Sequence, residues 1–117
     1  MATSPIFHYG EELLTAGIAL SIARGQSEGT LSDQTKEKIE KSAKSVEKIA
    51  NGEHAVYGIN TGFGPLCTTR ISAEDTHTLQ HNLLMSHAVG LGDPIRDEIA
   101  KLMMILKVHA LSKGFSG

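Results

Sequence analysis

Aromatic side chains are scarce in this sequence, at 4 % with no tryptophan, so aliphatic residues must supply most of any core. Cysteine occurs once, and Cys67 alone can close no internal disulfide, which fits a reducing, cytoplasmic setting. The longest strongly apolar run, "LMMIL" at 102–106, is far too short to span a bilayer, so no membrane partner is expected. The opening "MATSPIFHYGEELL" has neither a basic start nor an apolar centre, and no secretory leader is expected from it. Basic runs are missing too, and a net charge of -2 leaves nucleic acid no footprint. What remains is 117 residues, 40 % hydrophobic and 21 % charged, enough for one globular domain or part of one.

The pattern predicts a mainly α chain of four helices, with little or no β structure and a Gly-rich loop near the middle. "LTAGIALSIARG" offers Thr15 as N-cap and Gly25 as terminator of a short first helix. After the turn-rich "QSEGTLSDQ", Ser32 caps a long charged helix running to about Asn51 and stopped by Gly52. Its apolar stripe is narrow: Ile39, Ala43, Val46 and Ala50 recur at helical spacing. A third helix starts at Ser72, with Asp75 completing a variant capping box, and is expected to end at Gly90. The fourth is expected to open with Asp93 as N-cap and Pro94 at its first position, and to run to Gly114. Apolar residues cover most of its circumference, so it should have partners on more than one side, which predicts self-association and an incomplete domain.

On an ideal helix turning about 100° per residue, Leu83, Asn82, Ser86 and His87 fall within about 80° of Leu79. One arc of the third helix therefore carries two leucines and three hydrogen-bonding side chains. His77 and His81 lie almost opposite. Two histidines four apart can share a metal, but no intervening Glu and no third ligand accompany them, so no metal site is expected. His87 among leucines reads either as a satisfied core histidine or as a site residue.

The loop "VYGINTGFGPL" holds Gly58, Gly62 and Gly64 around Tyr57 and Phe63. It matches neither a P-loop nor the dinucleotide-binding fingerprint. A tight structural loop explains the glycines as well as a site does. A phenol is a poor base at neutral pH unless positive neighbours or oriented backbone dipoles stabilise the phenolate. Glycine amides can supply such dipoles and can bind a developing oxyanion.

Three motifs in this order, "YGINTGFG", "LQHNLLMSHAVGLG" and "LKVHALSKGFSG", closely resemble the N-terminal part of the aromatic amino acid ammonia-lyases, the histidine ammonia-lyase (histidase) branch above all. The resemblance covers nearly the whole chain, 1–117, read as one incomplete segment of an ammonia-lyase domain. It implies a helical homotetramer that eliminates ammonia from L-histidine to give urocanate, using a methylidene-imidazolone (MIO) electrophile self-formed from Ala-Ser-Gly. It implies that Tyr57 is the catalytic tyrosine, that the Gly64 backbone lies against the site, and that His87 contacts the substrate; Asn82 joins them as a substrate-binding candidate. Tyrosine or phenylalanine lyases and aminomutases share this chemistry, and a non-catalytic helical assembly module is a separate possibility. No Ala-Ser-Gly occurs in these residues, so MIO cannot form here and the chain alone is expected to be an inactive fragment.

Overall fold

The computed structural model describes residues 4–116. Gly117, the last residue of the "GFSG" motif, lies outside them. The chain falls into two compact units, one built from the residues before Lys44 and after Asp93, the other from Lys44–Asp93.

In the first unit two short strands, β1 (Ile6–His8) and β2 (Glu28–Thr30), pair in parallel with Phe7 opposite Gly29. Helix α1 (Ala16–Ala23) connects them. The Thr15 hydroxyl caps it by accepting from Ile18 N at 3.3 Å. Helix α4 (Asp97–Leu111) returns to pack on α1. Phe7, Tyr9, Ala19, Ala23 and Ile105 form the buried core, with Leu14, Ile18, Ile22, Leu31 and Leu102 packed around it. Phe7 and Tyr9 meet edge to face, with centroids 5.5 Å apart, and burial pushes the Tyr9 phenol pKa up. Two aromatic side chains, one on β1 and one just after it, thus do much of the packing in a chain poor in them.

Helix α2 (Asp33–Ala50) starts where expected, with Thr35 N donating to the Ser32 hydroxyl at 3.1 Å. Ser32 and Thr35 also donate to the Glu11 carboxylate, holding its pKa below the usual range. Of the narrow stripe, Ile39, Val46 and Ala50 are half-buried while Ala43 is exposed.

Two helix boundaries differ from expectation. Helix α4 begins at Asp97, not after Asp93, and its N-cap Arg96 has extended backbone and no capping side chain. The acids Asp97 and Glu98 sit in the first turn, where the helix dipole favours them, and Glu98 pairs with Arg24 at 2.7 Å. Asp93 and Pro94 therefore belong to the preceding turn region rather than to a cap. In the second unit, α3 (Ala73–His87) ends at His87, not Gly90. Ala88, at φ -78° and ψ 60°, makes an inverse γ-turn in which Val89 N donates to His87 O at 2.9 Å. At its start Ser72 caps α3 as expected, but the Asp75 carboxylate accepts from the Ser72 hydroxyl at 2.7 Å. The side-chain pair replaces the usual return bond to the cap's backbone.

Much of the apolar surface of α4 is uncovered, including Met103, Met104 and Leu106. Among the described residues no helix is long and apolar enough to cross a membrane.

Candidate functional site

The loop between α2 and α3 is divided by burial within a single motif. Tyr57, Gly58, Phe63 and Gly64 face outward, whereas Asn60, Thr61 and Gly62 are buried. The buried part holds the loop together. Gly62 N donates to Thr69 O at 3.2 Å, Ile71 N donates to Asn60 O at 2.8 Å, and Thr61 bridges Arg70 in antiparallel fashion. Arg70 in turn donates to Gly52 O at 3.0 Å, just beyond α2. A Cβ on Gly62 would approach the Leu66 Cβ to 2.6 Å, so only glycine lets the chain fold back on its 3-10 turn, Gly64–Leu66. Gly58 has φ +80° with open space around it, so its need for glycine is conformational rather than steric.

Tyr57 is 64 % exposed. Its ring meets Phe63 edge to face, with centroids 5.9 Å apart. Phe63 in turn lines an open groove of about 640 Å³ together with Gln80, Leu83, Leu84, His87 and Ala88 of α3 and its end. Phe63 thus connects the two motifs that contain Tyr57 and His87. Sequence reasoning gave Phe63 no role; the signal available was an apolar ring kept inside a Gly-rich loop.

His87 sits at the last position of α3, with a defined hydrogen-bond network. The Ser86 hydroxyl donates to Leu83 O at 3.1 Å. His87 Nδ1 lies 2.9 Å from both Leu83 O and Ser86 Oγ. Leu83 O can only accept, and the Ser86 proton is already given to it, so Nδ1 carries the ring proton. In the neutral ring Nε2 is then the acceptor. A mostly apolar groove whose polar groups are the His87 imidazole and the Gln80 carboxamide suits a flat ring that carries an N–H.

The other expected site residues are placed less centrally. Gly64, at φ +59°, follows Phe63 and is exposed; Asn82 is exposed on α3. Neither is among the residues lining the groove. His77 and His81 are exposed on α3, and no cluster of three or more His, Cys, Asp or Glu fit to hold a metal occurs among the described residues. Cys67 is a free, exposed thiol.

Sequence reasoning also passed over Asn60, which is 1 % exposed. Its Oδ1 accepts from Val56 N at 2.7 Å, and its Nδ2 donates to His54 O at 3.0 Å and Ile49 O at 3.2 Å. A carboxamide in a Gly-rich loop was the visible signal; its backbone partners were not.

Comparison with known proteins adds to this geometry. The family profile described as aromatic amino acid lyase matches residues 14–117. A histidine ammonia-lyase of Pseudomonas fluorescens (strain SBW25) is 51 % identical over 87 residues, covering 74 % of this chain and 17 % of the relative. One of Bacillus subtilis (strain 168) is 42 % identical over 108 residues, covering 92 % of this chain and 21 % of the relative. The chain therefore spans about a fifth of the length of these relatives. A crystal structure of tyrosine aminomutase from Streptomyces globisporus superposes with a TM-score of 0.82 at 25 % identity, over 94 % of this chain and 21 % of that one.

Proposed function

The chain belongs to the aromatic amino acid lyase family, and on that premise we propose that it is the N-terminal segment of a histidine ammonia-lyase. The parent enzyme removes ammonia from L-histidine and releases urocanate. In that elimination the Cβ–H and Cα–N bonds break, a Cα–Cβ double bond forms, and ammonia leaves. Tyr57, on the exposed side of its loop, takes or relays the β-proton. As phenolate it needs stabilising dipoles, which the nearby glycine amides can supply. His87 binds the substrate ring, with Nε2 accepting its N–H while Phe63, Leu83 and Leu84 cover its faces. Asn82 and the Gly64 backbone lie further out and serve substrate binding only once the rest of the pocket is built.

The observation that carries this reading is the groove that joins Phe63 to His87, whose Nδ1 is hydrogen-bonded within α3 while Nε2 has no partner among the described residues. Its apolar wall, with the His87 imidazole and the Gln80 carboxamide as its polar groups, supports a polar heteroaromatic ring over a bare phenyl ring. The family's MIO group supplies an electrophile. The residues present do not include the Ala-Ser-Gly that forms it, so it comes from outside these 117 residues and the chain alone is inactive. A cytoplasmic homotetramer is the state we propose for the parent, with the uncovered apolar face of α4 inside the assembly.

A second reading, a tyrosine or phenylalanine lyase or an aminomutase, is favoured by the superposition on tyrosine aminomutase. The full-length protein assayed on histidine, tyrosine and phenylalanine separates the two. Histidine is the expected substrate, and His87→Leu should shift preference toward the phenyl substrates. An unchanged preference in that variant would remove His87 from substrate recognition, and turnover of tyrosine alone would favour the second reading. A purified 117-residue chain producing urocanate steadily by itself would contradict the inactive-segment proposal.

A further inference from the structure

The Tyr57 phenol makes no side-chain hydrogen bond among the described residues, and the ring's one aromatic neighbour, Phe63, is itself exposed. Its aim must therefore come largely from its backbone. That backbone is clasped by one residue. Asn60 holds both polar groups of Val56, the residue before Tyr57. Its Oδ1 accepts from Val56 N at 2.7 Å, and its backbone N donates to Val56 O at 3.3 Å. Ile59 N shares the same Val56 carbonyl at 3.1 Å. Tyr57 and Gly58 lie inside this closed turn, with Gly58 at φ +80° completing the reversal.

The clasp is also anchored at both ends. Both Nδ2 protons are used, one on Ile49 O in the last turn of α2 and one on His54 O. Ile49 O, at the helix end and beyond the reach of an intrahelical partner, accepts from Gly52 N at 3.0 Å as well. On the other side, Asn60 O accepts from Ile71 N at 2.8 Å, next to the Ser72 cap of α3. A single side chain thus ties the Tyr57 turn to α2 while its own carbonyl ties it to the entry of α3. An acceptor and two donors at one carbon's reach from the backbone are found together only in asparagine. Aspartate keeps the acceptor and loses both donors, glutamine is one carbon too long, and serine has a single donor.

We propose that Asn60 is a positioning residue for Tyr57, setting the turn that aims the phenol at the substrate's β-carbon. The inference rests on Tyr57 handling the proton as proposed above. Misplacing a catalytic group by about 1 Å can cost about 10²-fold in rate. Losing the clasp should therefore act on kcat and leave ground-state binding through His87 nearly intact.

The test is a double-mutant cycle in the full-length lyase that carries this segment, reading kcat and KM for histidine together. Tyr57→Phe alone should abolish most turnover. Asn60→Ala should lower kcat by about 10²-fold with KM changed less than about threefold. In the Tyr57→Phe background Asn60→Ala should cost nothing further, because the group it aims is gone. Where Asn60→Ala fails to fold, Asn60→Asp takes its place, being the same size and losing both donated bonds. Equal losses in both backgrounds, or a change in KM matching that in kcat, would show a general structural role and overturn the inference. An Asn60→Asp enzyme with full turnover would overturn it as well. Full activity of Tyr57→Phe would overturn the reading of Tyr57 itself, and the inference with it.

Discussion

Truncating Ile105 to alanine tests whether α4 is held on α1 by the small core of the first unit. Ile105 is 7 % exposed and sits among Phe7, Tyr9, Ala19 and Ala23. The change removes the three side-chain carbons beyond Cβ. At about 0.8 kcal/mol for each buried carbon, the transfer loss is about 2.4 kcal/mol. A cavity contribution adds to this only where the surroundings cannot collapse or fill. Here an open groove of about 290 Å³ lies beside Ile105, lined also by Tyr9, Ile22, Met104 and Val108. The vacated space would merge with that groove rather than form a sealed void, so the cavity contribution is small. The expected total is about 2.5–3 kcal/mol, toward the low end for such truncations. Urea unfolding of the 117-residue chain, followed by circular dichroism, measures it. The neighbouring Met104→Ala provides the contrast, since Met104 is 60 % exposed and should change stability by less than about 0.5 kcal/mol. Equal effects of the two substitutions, or a loss below about 1 kcal/mol at Ile105, would refute the packing of α4 on α1.

Further outcomes follow from other parts of the chain. Ser72→Ala removes the cap on Asp75 N and should cost about 1 kcal/mol, measured by thermal melting, with Ser86→Ala as an exposed control outside any cap. The Thr61 hydroxyl is buried without a hydrogen-bond partner among the described residues. Thr61→Val, which keeps the shape and removes that hydroxyl, should leave the isolated chain equally stable or stabilise it by about 1 kcal/mol, by the same melting assay. The carboxyls of Glu11 and Glu98 are held below the usual range, Glu11 by bonds from Ser32 and Thr35 and Glu98 by Arg24. Groups with depressed folded-state pKa values stabilise fully above their unfolded values and lose that contribution as pH falls through the folded ones. Urea midpoints should therefore be flat above about pH 5 and fall below it, with a shallower fall in Glu98→Gln.

What could be read from the sequence was mostly what neighbouring residues decide. Thr15, Ser32 and Ser72 cap helices because each hydroxyl reaches an amide three residues on, a geometry independent of the rest of the fold. The β1–β2 pair could not be read this way. Three-residue strands are too short to show alternation, and Phe7 meets Gly29 only once α1 has turned the chain round. Asp93-Pro94 carries the signature of a helix start, yet the helix begins at the acids that follow. Gly90 carries the signature of a helix stop, yet a γ-turn at Ala88 ends α3 first. Tyr57 in the loop and His87 at the end of α3 stood out through their motifs. Phe63, which links them, and Asn60, which clasps the turn, did not, because their partners are fixed by the folded chain and not by spacing.

The most direct measurement is urocanate formation from L-histidine, followed by its ultraviolet absorbance, in the full-length protein and its Tyr57→Phe variant. If Tyr57 takes or relays the β-proton, the variant should lose about 10²- to 10⁴-fold in kcat while remaining folded and in the same assembly state as the unsubstituted protein. A variant that keeps the parent rate would show that the proton leaves by another route, and the assignment of this loop to the chemistry would fail.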